Sequence, residues 1–260
     1  MHVYTLDAAK VYGWQHLTYI GIYIALFAVS LTVILLKVKS EEKVDLLVKI
    51  LGGVLLALII FNRIAIACHR ESGWGLVPDS FCGVGSLGLA LSCLFFKRGS
   101  LPYHIFVYCM LFGGSITVFY PDFIGQEFHG EATSFMYPAT ISGMMHHSLA
   151  FYIVVLLFVT GHFKPCVKKT YVLPIALGFM VTYGVFLLDA LDFEKAMYLD
   201  SPLIPGTFIT WYVVYPALVV AGYGISFLYE YIVKRKSQTN QPATEDNQAE
   251  NQEESQTENQ

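Results

Sequence analysis

Four residue types in this chain have the chemistry for proton transfer or nucleophilic attack, and they recur where water is scarce. Cys82 sits in the run Pro78-Asp79-Ser80-Phe81-Cys82, and His146 and His147 sit in the run Ser142-Gly143-Met144-Met145-His146-His147-Ser148. Arg63 and His69 lie near the end of a third apolar run, and Asp189 closes another. A histidine can take the proton of a thiol and leave a thiolate able to attack a carbonyl and hold an acyl group. Arginine can hold a phosphate or a developing oxyanion. Each residue taken alone also has an ordinary reading: a membrane cysteine is most often a small hydrophobe, and a membrane histidine most often bridges helices. What singles them out is a shared depth, and the depth depends on the elements that carry them.

Crossing a hydrocarbon core takes about 20 apolar residues. Seven such stretches run along the chain, at 14–36, 45–68, 76–96, 101–120, 139–161, 171–190 and 208–232. The first ends in Lys37 and Lys39 rather than in a small-residue cleavage site, so it reads as a span and not as a removable signal. The fold class expected is an all-α polytopic bundle of seven transmembrane helices. Basic residues sort to alternate loops. Lys37, Lys39, Lys43, Lys97, Arg98, Lys164, Lys168, Lys169, Lys234, Arg235 and Lys236 fall on one side, against Lys10, Arg70 and Lys195 on the other. The positive-inside rule then predicts an outer N-terminus and a cytoplasmic C-terminus, in the cell membrane.

With that orientation nearly every costly polar group falls in the outer half of the bundle. Cys82 lies about 9 Å and His147 about 12 Å below the starts of their stretches, at 1.5 Å per residue. Neighbouring helical residues point about 100° apart, so only one of His146 and His147 is expected to face a common cavity. Arg63 is expected to pair with Asp79 or Asp189. The cavity is expected between the second, third, fifth and sixth stretches, with Arg63, His69, Asp79, Tyr120, His146 and Asp189 as substrate-binding residues. A metal held by His69, Cys82, His147 and Asp189 lacks any close-spaced ligand pair, so no metal and no cofactor is expected. The aromatic loop 121–138 reads either as an interfacial anchor or as a lid.

Composition narrows the class. The chain is 55% hydrophobic and 14% charged, with a mean hydropathy of +0.53. A soluble domain carries about 25% charged residues, and a nucleic-acid binder needs a basic surface. The formal charge of −4 belongs to the end of the chain, since 237–260 holds six acidic residues and no basic one. That segment has no aromatic residue and no aliphatic one larger than alanine, so it is expected to be a disordered tail behind a 1–236 membrane domain. The five cysteines are an odd number with no CxxC spacing, which excludes a disulfide framework. Gly83-Val84-Gly85-Ser86-Leu87-Gly88 matches a dinucleotide-binding pattern, but it sits inside an apolar stretch without a preceding strand and reads as a helix-packing face.

Several short motifs fall in a familiar order: Gly13-Trp14-Gln15-His16-Leu17, Pro78-Asp79-Ser80-Phe81-Cys82, His146-His147-Ser148, Met197-Tyr198-Leu199 with Pro202, and Trp211-Tyr212. Over about residues 10–232 this resembles the YwaF-like integral membrane proteins of bacteria. Their eukaryotic relatives include a phospholipid acyltransferase that uses a membrane cysteine and a histidine. The resemblance implies Cys82 as nucleophile, His147 as base and membrane lipids as partners and substrates. Three positions depart from the family pattern: Ser80 stands where a histidine is usual, Asp189 where an asparagine is, and Lys195-Ala196 where Asn-Tyr is. A transporter or solute-binding subunit using the same cavity without chemistry is the alternative.

Overall fold

The structure is a computed structural model that describes residues 9–121, 127–128, 131–132, 134–193, 196–197, 199, 202 and 207–239. The acidic tail from 240 onward, Lys195 and most of the loop 122–133 lie outside the described residues. Among the described residues eight α-helices carry the fold: α1 Trp14–Lys37, α2 Glu41–Arg70, α3 Phe81–Phe95, α4 Leu101–Phe119, α5 Pro138–Val159, α6 Val167–Thr170, α7 Val172–Leu191 and α8 Trp211–Thr239. β1 Glu127–Phe128 pairs antiparallel with β2 Glu131–Ala132, Glu127 opposite Ala132 and Phe128 opposite Glu131.

Among the described residues six segments are long and apolar enough to cross a membrane: α1, α2, α4, α5, the combined run Val167–Leu191, and α8 to Arg235. The third expected span is the exception. α3 has 15 residues, about 22 Å against a hydrocarbon core of about 30 Å. The sequence reading started it at 76, but the residues Gly73–Leu76 form a 3-10 turn and Pro78 holds the chain extended before the helix. Ser80 then caps the helix, its side chain accepting from Gly83 N–H at 3.1 Å. α3 is enclosed by α2, α4 and α5 rather than by lipid, with Leu89 and Ala90 fully buried.

Even so, α3 joins the two ends of the bundle. At one end Arg98 pairs with Glu41 at 3.1 Å and donates to the Gly161 and His162 carbonyls, while Lys169 Nζ donates to Gly99 O at 2.5 Å. Glu230 near the end of α8 accepts from Val167 N–H at 2.9 Å. The loops expected to share the basic face are therefore in contact. The opposite end holds the α1 start, the α2 end, the α3 start and the α4 end.

The GxGxxG run is a packing surface. A Cβ on Gly85 would stand 2.7 Å from Met110 Sδ and one on Gly88 would stand 2.2 Å from the Phe106 ring, so both glycines let α3 and α4 approach closely. α1 stands apart, held to α5 by Tyr19 Oη donating to Ser148 Oγ at 2.8 Å and Tyr23 Oη donating to Ser148 O at 3.0 Å. The described end of the 121–138 loop packs here too. Phe135 is buried against Ala9 and Met144, and its N–H donates to Gln15 Oε1 at 2.9 Å. Phe135 thus packs on α1 and α5, and most of the loop lies outside the described residues.

The glycine contacts make a stability prediction. Gly88→Leu, which must displace the Phe106 ring, is expected to cost about 1–3 kcal/mol. Gly224→Ala, with open space around the added methyl, is expected to leave the detergent unfolding midpoint unchanged or raised. Equal loss in both variants would contradict the packing role.

Candidate functional site

The site begins with Asp79, the residue before the Ser80 cap. Its Oδ1 accepts from Arg63 at 3.2 Å and its Oδ2 from Arg70 at 3.3 Å. Its backbone carbonyl accepts from Met197 N–H at 3.1 Å. Arg63 also donates to Val77 O at 3.1 Å. One carboxylate thus ties the end of α2 to the start of α3, and its own backbone holds the 196–199 segment. Arg63 and Asp79 are mostly buried, with side-chain exposures of 13% and 16%, whereas Arg70 is half exposed. The carboxylate also lies beside a helix N-terminus, whose partial positive charge favours it.

Of the two partners expected for Arg63, the structure selects Asp79. Asp189 is exposed in the last turn of α7, so it does not line the site. The guanidinium is engaged by protein acceptors rather than held open for a phosphate. Its second terminal nitrogen comes within 3.8 Å of where a Gly83 Cβ would be, one residue from Cys82.

Cys82 occupies the first turn of α3 and is buried. Its Sγ lies 3.5 Å from Thr117 Oγ1 on α4. A Cβ on Gly113 would stand 3.1 Å from that sulfur, so the thiol rests in the notch left by the missing side chain. Thr117 Oγ1 in turn lies 2.7 Å from Gly113 O, one helical turn back. The next residue, Gly114, receives α5: a Cβ there would stand 3.3 Å from His147 O and 3.1 Å from Phe151 Cβ. Two adjacent glycines of α4 therefore seat the Cys82 thiol on one side and the His147 turn on the other, at one level. The expected depth agreement holds, but the wall behind the thiol is α4, the helix left out of the expected cavity. Sequence reading passed over it because α4 carries no ionisable side chain in that turn. The Gly113/Thr117 spacing of i, i+4 is the signal that would have found it.

His146 and His147 are both buried, and their ring centroids are 4.0 Å apart at a 34° tilt. The Cα–Cβ bonds diverge by about 100°, but an imidazole extends well beyond Cβ, and side-chain rotation brings the two rings together. His147 Nδ1 is 2.7 Å from Gly143 O. A carbonyl can only accept, so Nδ1 carries the proton and Nε2 the lone pair. His146 Nδ1 is buried without a hydrogen-bond partner. Arg63 lies within electrostatic reach of both rings, and Tyr183 of α7 within reach of Arg63 and Asp79.

The remaining expected residues do not converge there. His69 Nδ1 is 2.5 Å from Tyr137 Oη, bracing the α2 end against the α5 start. Asn62 does the same a turn or two earlier, donating to Ala139 O and to Ser142 Oγ, each at 2.9 Å. Tyr120 packs with Tyr12, ring centroids 6.4 Å apart, beside the fully buried His16. That histidine accepts from Tyr12 N–H at Nδ1 and donates from Nε2 to Val118 O, at 3.1 and 3.0 Å. Tyr120 and His16 thus fasten the chain start to the end of α4. With His69 on Tyr137 and Asp189 exposed, the four residues weighed as metal ligands do not gather.

Sequence reasoning took Met197 only as part of a short motif and passed over Tyr215. Met197 is buried, with a left-handed φ of 51°, strained for a residue with a side chain. Its N–H is held by Asp79 O and its carbonyl accepts from Tyr215 Oη at 3.1 Å. Tyr215 also packs its ring on Phe81, centroids 5.5 Å apart.

Fold and site together define a multi-pass helical membrane protein with a polar cluster concentrated at one end of its bundle. The chain belongs to the TMEM164 family, whose family model matches residues 11–233. No curated protein and no solved structure matches it.

The ion pair yields a prediction. Asp79→Asn, which leaves a mostly buried Arg63 uncompensated, is expected to cost about 3 kcal/mol in detergent unfolding. Removing half-exposed Arg70 as Arg70→Ala is expected to cost under about 1 kcal/mol. Equal costs would contradict the assignment of Arg63 as the principal partner.

Proposed function

We propose that this protein is a membrane acyl-transfer enzyme acting on lipid acyl chains, with Cys82 as nucleophile and His147 as base. The observation that carries the reading is the seating of the Cys82 thiol and the His147 turn on the adjacent Gly113 and Gly114 of α4. The protonation of His147 supports it, since a proton fixed on Nδ1 by Gly143 O leaves Nε2 to accept one. The resemblance of the Pro78–Cys82 and His146–Ser148 motifs to YwaF-like proteins, and to their acyltransferase relative, points the same way.

In this reading His147 Nε2 takes the thiol proton and the sulfur attacks an acyl ester carbonyl. A carbon–sulfur bond forms, the carbon–oxygen bond of the ester breaks, and the imidazolium returns its proton to the departing alkoxide. The product is a thioester on Cys82 and a lysolipid. A second hydroxyl, deprotonated by the same imidazole, then attacks the thioester. The acyl group passes to that oxygen, and the thiolate recovers the proton. Low dielectric around the site strengthens any electrostatic help that Arg63 gives to the oxyanion.

We place the site in the outward half of the cell membrane, with the face carrying Lys37, Lys97, Arg98, Lys168 and Lys169 in the cytoplasm. A reporter fused after the last residue is expected to be active only as a cytoplasmic fusion; an outside-active fusion overturns that orientation.

The chemical reading is tested with an acyl-type thiol probe in native membranes. Labelling of the wild-type chain is expected to be sensitive to hydroxylamine, to vanish in Cys82→Ala, and to fall at least tenfold in His147→Gln. Equal labelling of Cys82→Ala overturns it. Ligand binding or uptake that survives Cys82→Ser, with no labelling of the wild type, would assign the site to a transporter instead.

A further inference from the structure

Thr117 makes two contacts that compete for one proton. Its Oγ1 is 2.7 Å from Gly113 O and 3.5 Å from Cys82 Sγ. A carbonyl only accepts, so the hydroxyl proton lies on Gly113 O in the resting state and the threonine oxygen is left to accept from the thiol. Gly113 O is not orphaned if the hydroxyl turns away, because it also takes the regular α-helical bond from the Thr117 N–H. The hydroxyl therefore has two rotamer-like settings at small cost. One is aimed at the backbone while sulfur carries its proton; the other is aimed at sulfur once that proton has left.

We propose that Thr117 is a positioning residue for the Cys82 nucleophile, its hydroxyl turning from the Gly113 carbonyl to the sulfur when the thiolate forms. This rests on the reading of Cys82 as the nucleophile. Gly113 is the second part of the device. Its missing side chain lets the sulfur come down to the α4 backbone, which sets the sulfur one turn from the hydroxyl. Hydrogen bonds to a charged acceptor are stronger than those to a neutral one, so the contact favours the ionised sulfur over the thiol. The backbone around Cys82 contributes in the same direction, since the thiol sits in the first turn of α3, at the partial positive end of the helix. Among the groups near this sulfur, Thr117 of α4 is in contact, Cys109 of α4 and Tyr215 of α8 lie within electrostatic reach, and Arg63 of α2 stands beside the next residue of α3.

The test reads the pH dependence of Cys82 alkylation by N-ethylmaleimide, followed on the Cys82 peptide by mass spectrometry in the full-length protein in detergent. Thr117→Val keeps the shape and removes the hydroxyl. It is expected to move the half-maximal pH of alkylation upward by about one unit, about a tenfold loss of rate at a pH below the midpoint. Thr117→Ser restores the hydroxyl and is expected to recover the wild-type profile. Gly113→Ala, which presses on the sulfur, is expected to disturb the profile even with Thr117 intact. A Thr117→Val profile identical to wild type overturns the proposal, as does a Thr117→Ser variant that behaves like Thr117→Val. Complete absence of Cys82 alkylation in the wild type at every pH overturns it too. The two readings fail separately. If the acyl probe labels wild type and Thr117→Val has no effect, only the role of Thr117 falls. If alkylation depends on Thr117 but no acyl group is ever taken up, only the acyl-transfer reading falls.

Discussion

The carboxylate of Asp79 is the constraint on which the Cys82 end of the bundle depends. It accepts from two arginines of the last turns of α2 and sits just before the cap that starts α3. Because Arg63 is mostly buried, its charge needs a partner at that depth. Supplying that partner from the residue before Ser80 fixes where α3 begins. It also explains why α3 is short: the chain spends residues 73–80 reaching the buried arginine before it turns helical. The same residue uses its backbone carbonyl to hold Met197, which Tyr215 holds from the other side. Four parts of the chain, α2, α3, the 196–199 segment and α8, are thereby set relative to the turn that carries Cys82.

Close approach is the second requirement, and α4 meets it. Gly113 and Gly114 remove the side chains that would otherwise hold α3 and α5 away, so the Cys82 thiol and the His147 turn are both seated on adjacent residues of α4. The Thr117 hydroxyl shares that surface. The opposite half uses a different scheme. There Tyr108 Oη, Ser226 Oγ and Thr170 Oγ1 form a buried chain, 2.5 and 2.8 Å apart, that joins α4, α8 and α6.

Much of this was legible in the chain. Apolar run length placed six of the helices to within a few residues, and basic residues sorted the loops that the structure brings together through Arg98 and Lys169. The shared depth of Cys82 and the histidine pair followed from counting residues. The start of α3 was not legible, because hydropathy cannot see that Asp79 must reach Arg63 before the helix begins. Tyr120 and Asp189 were misplaced for a related reason. Depth puts them near the site, but side-chain direction turns Tyr120 toward Tyr12 and leaves Asp189 exposed. The closeness of the two histidine rings was not legible, since the divergence of Cβ atoms on a helix says little about where two long rings end. Gly113 and Thr117 offered only their i, i+4 spacing, which many ordinary helix-packing pairs share.

The central claim is that Cys82 takes up an acyl group from a lipid. The most direct measurement is mass spectrometry of the Cys82 peptide after purified full-length protein is incubated with a phospholipid carrying an isotope-labelled acyl chain. The account predicts that the peptide gains the mass of the labelled acyl group as an adduct cleaved by neutral hydroxylamine. An unmodified Cys82 peptide in protein that remains folded, or an adduct found on another cysteine, would contradict it.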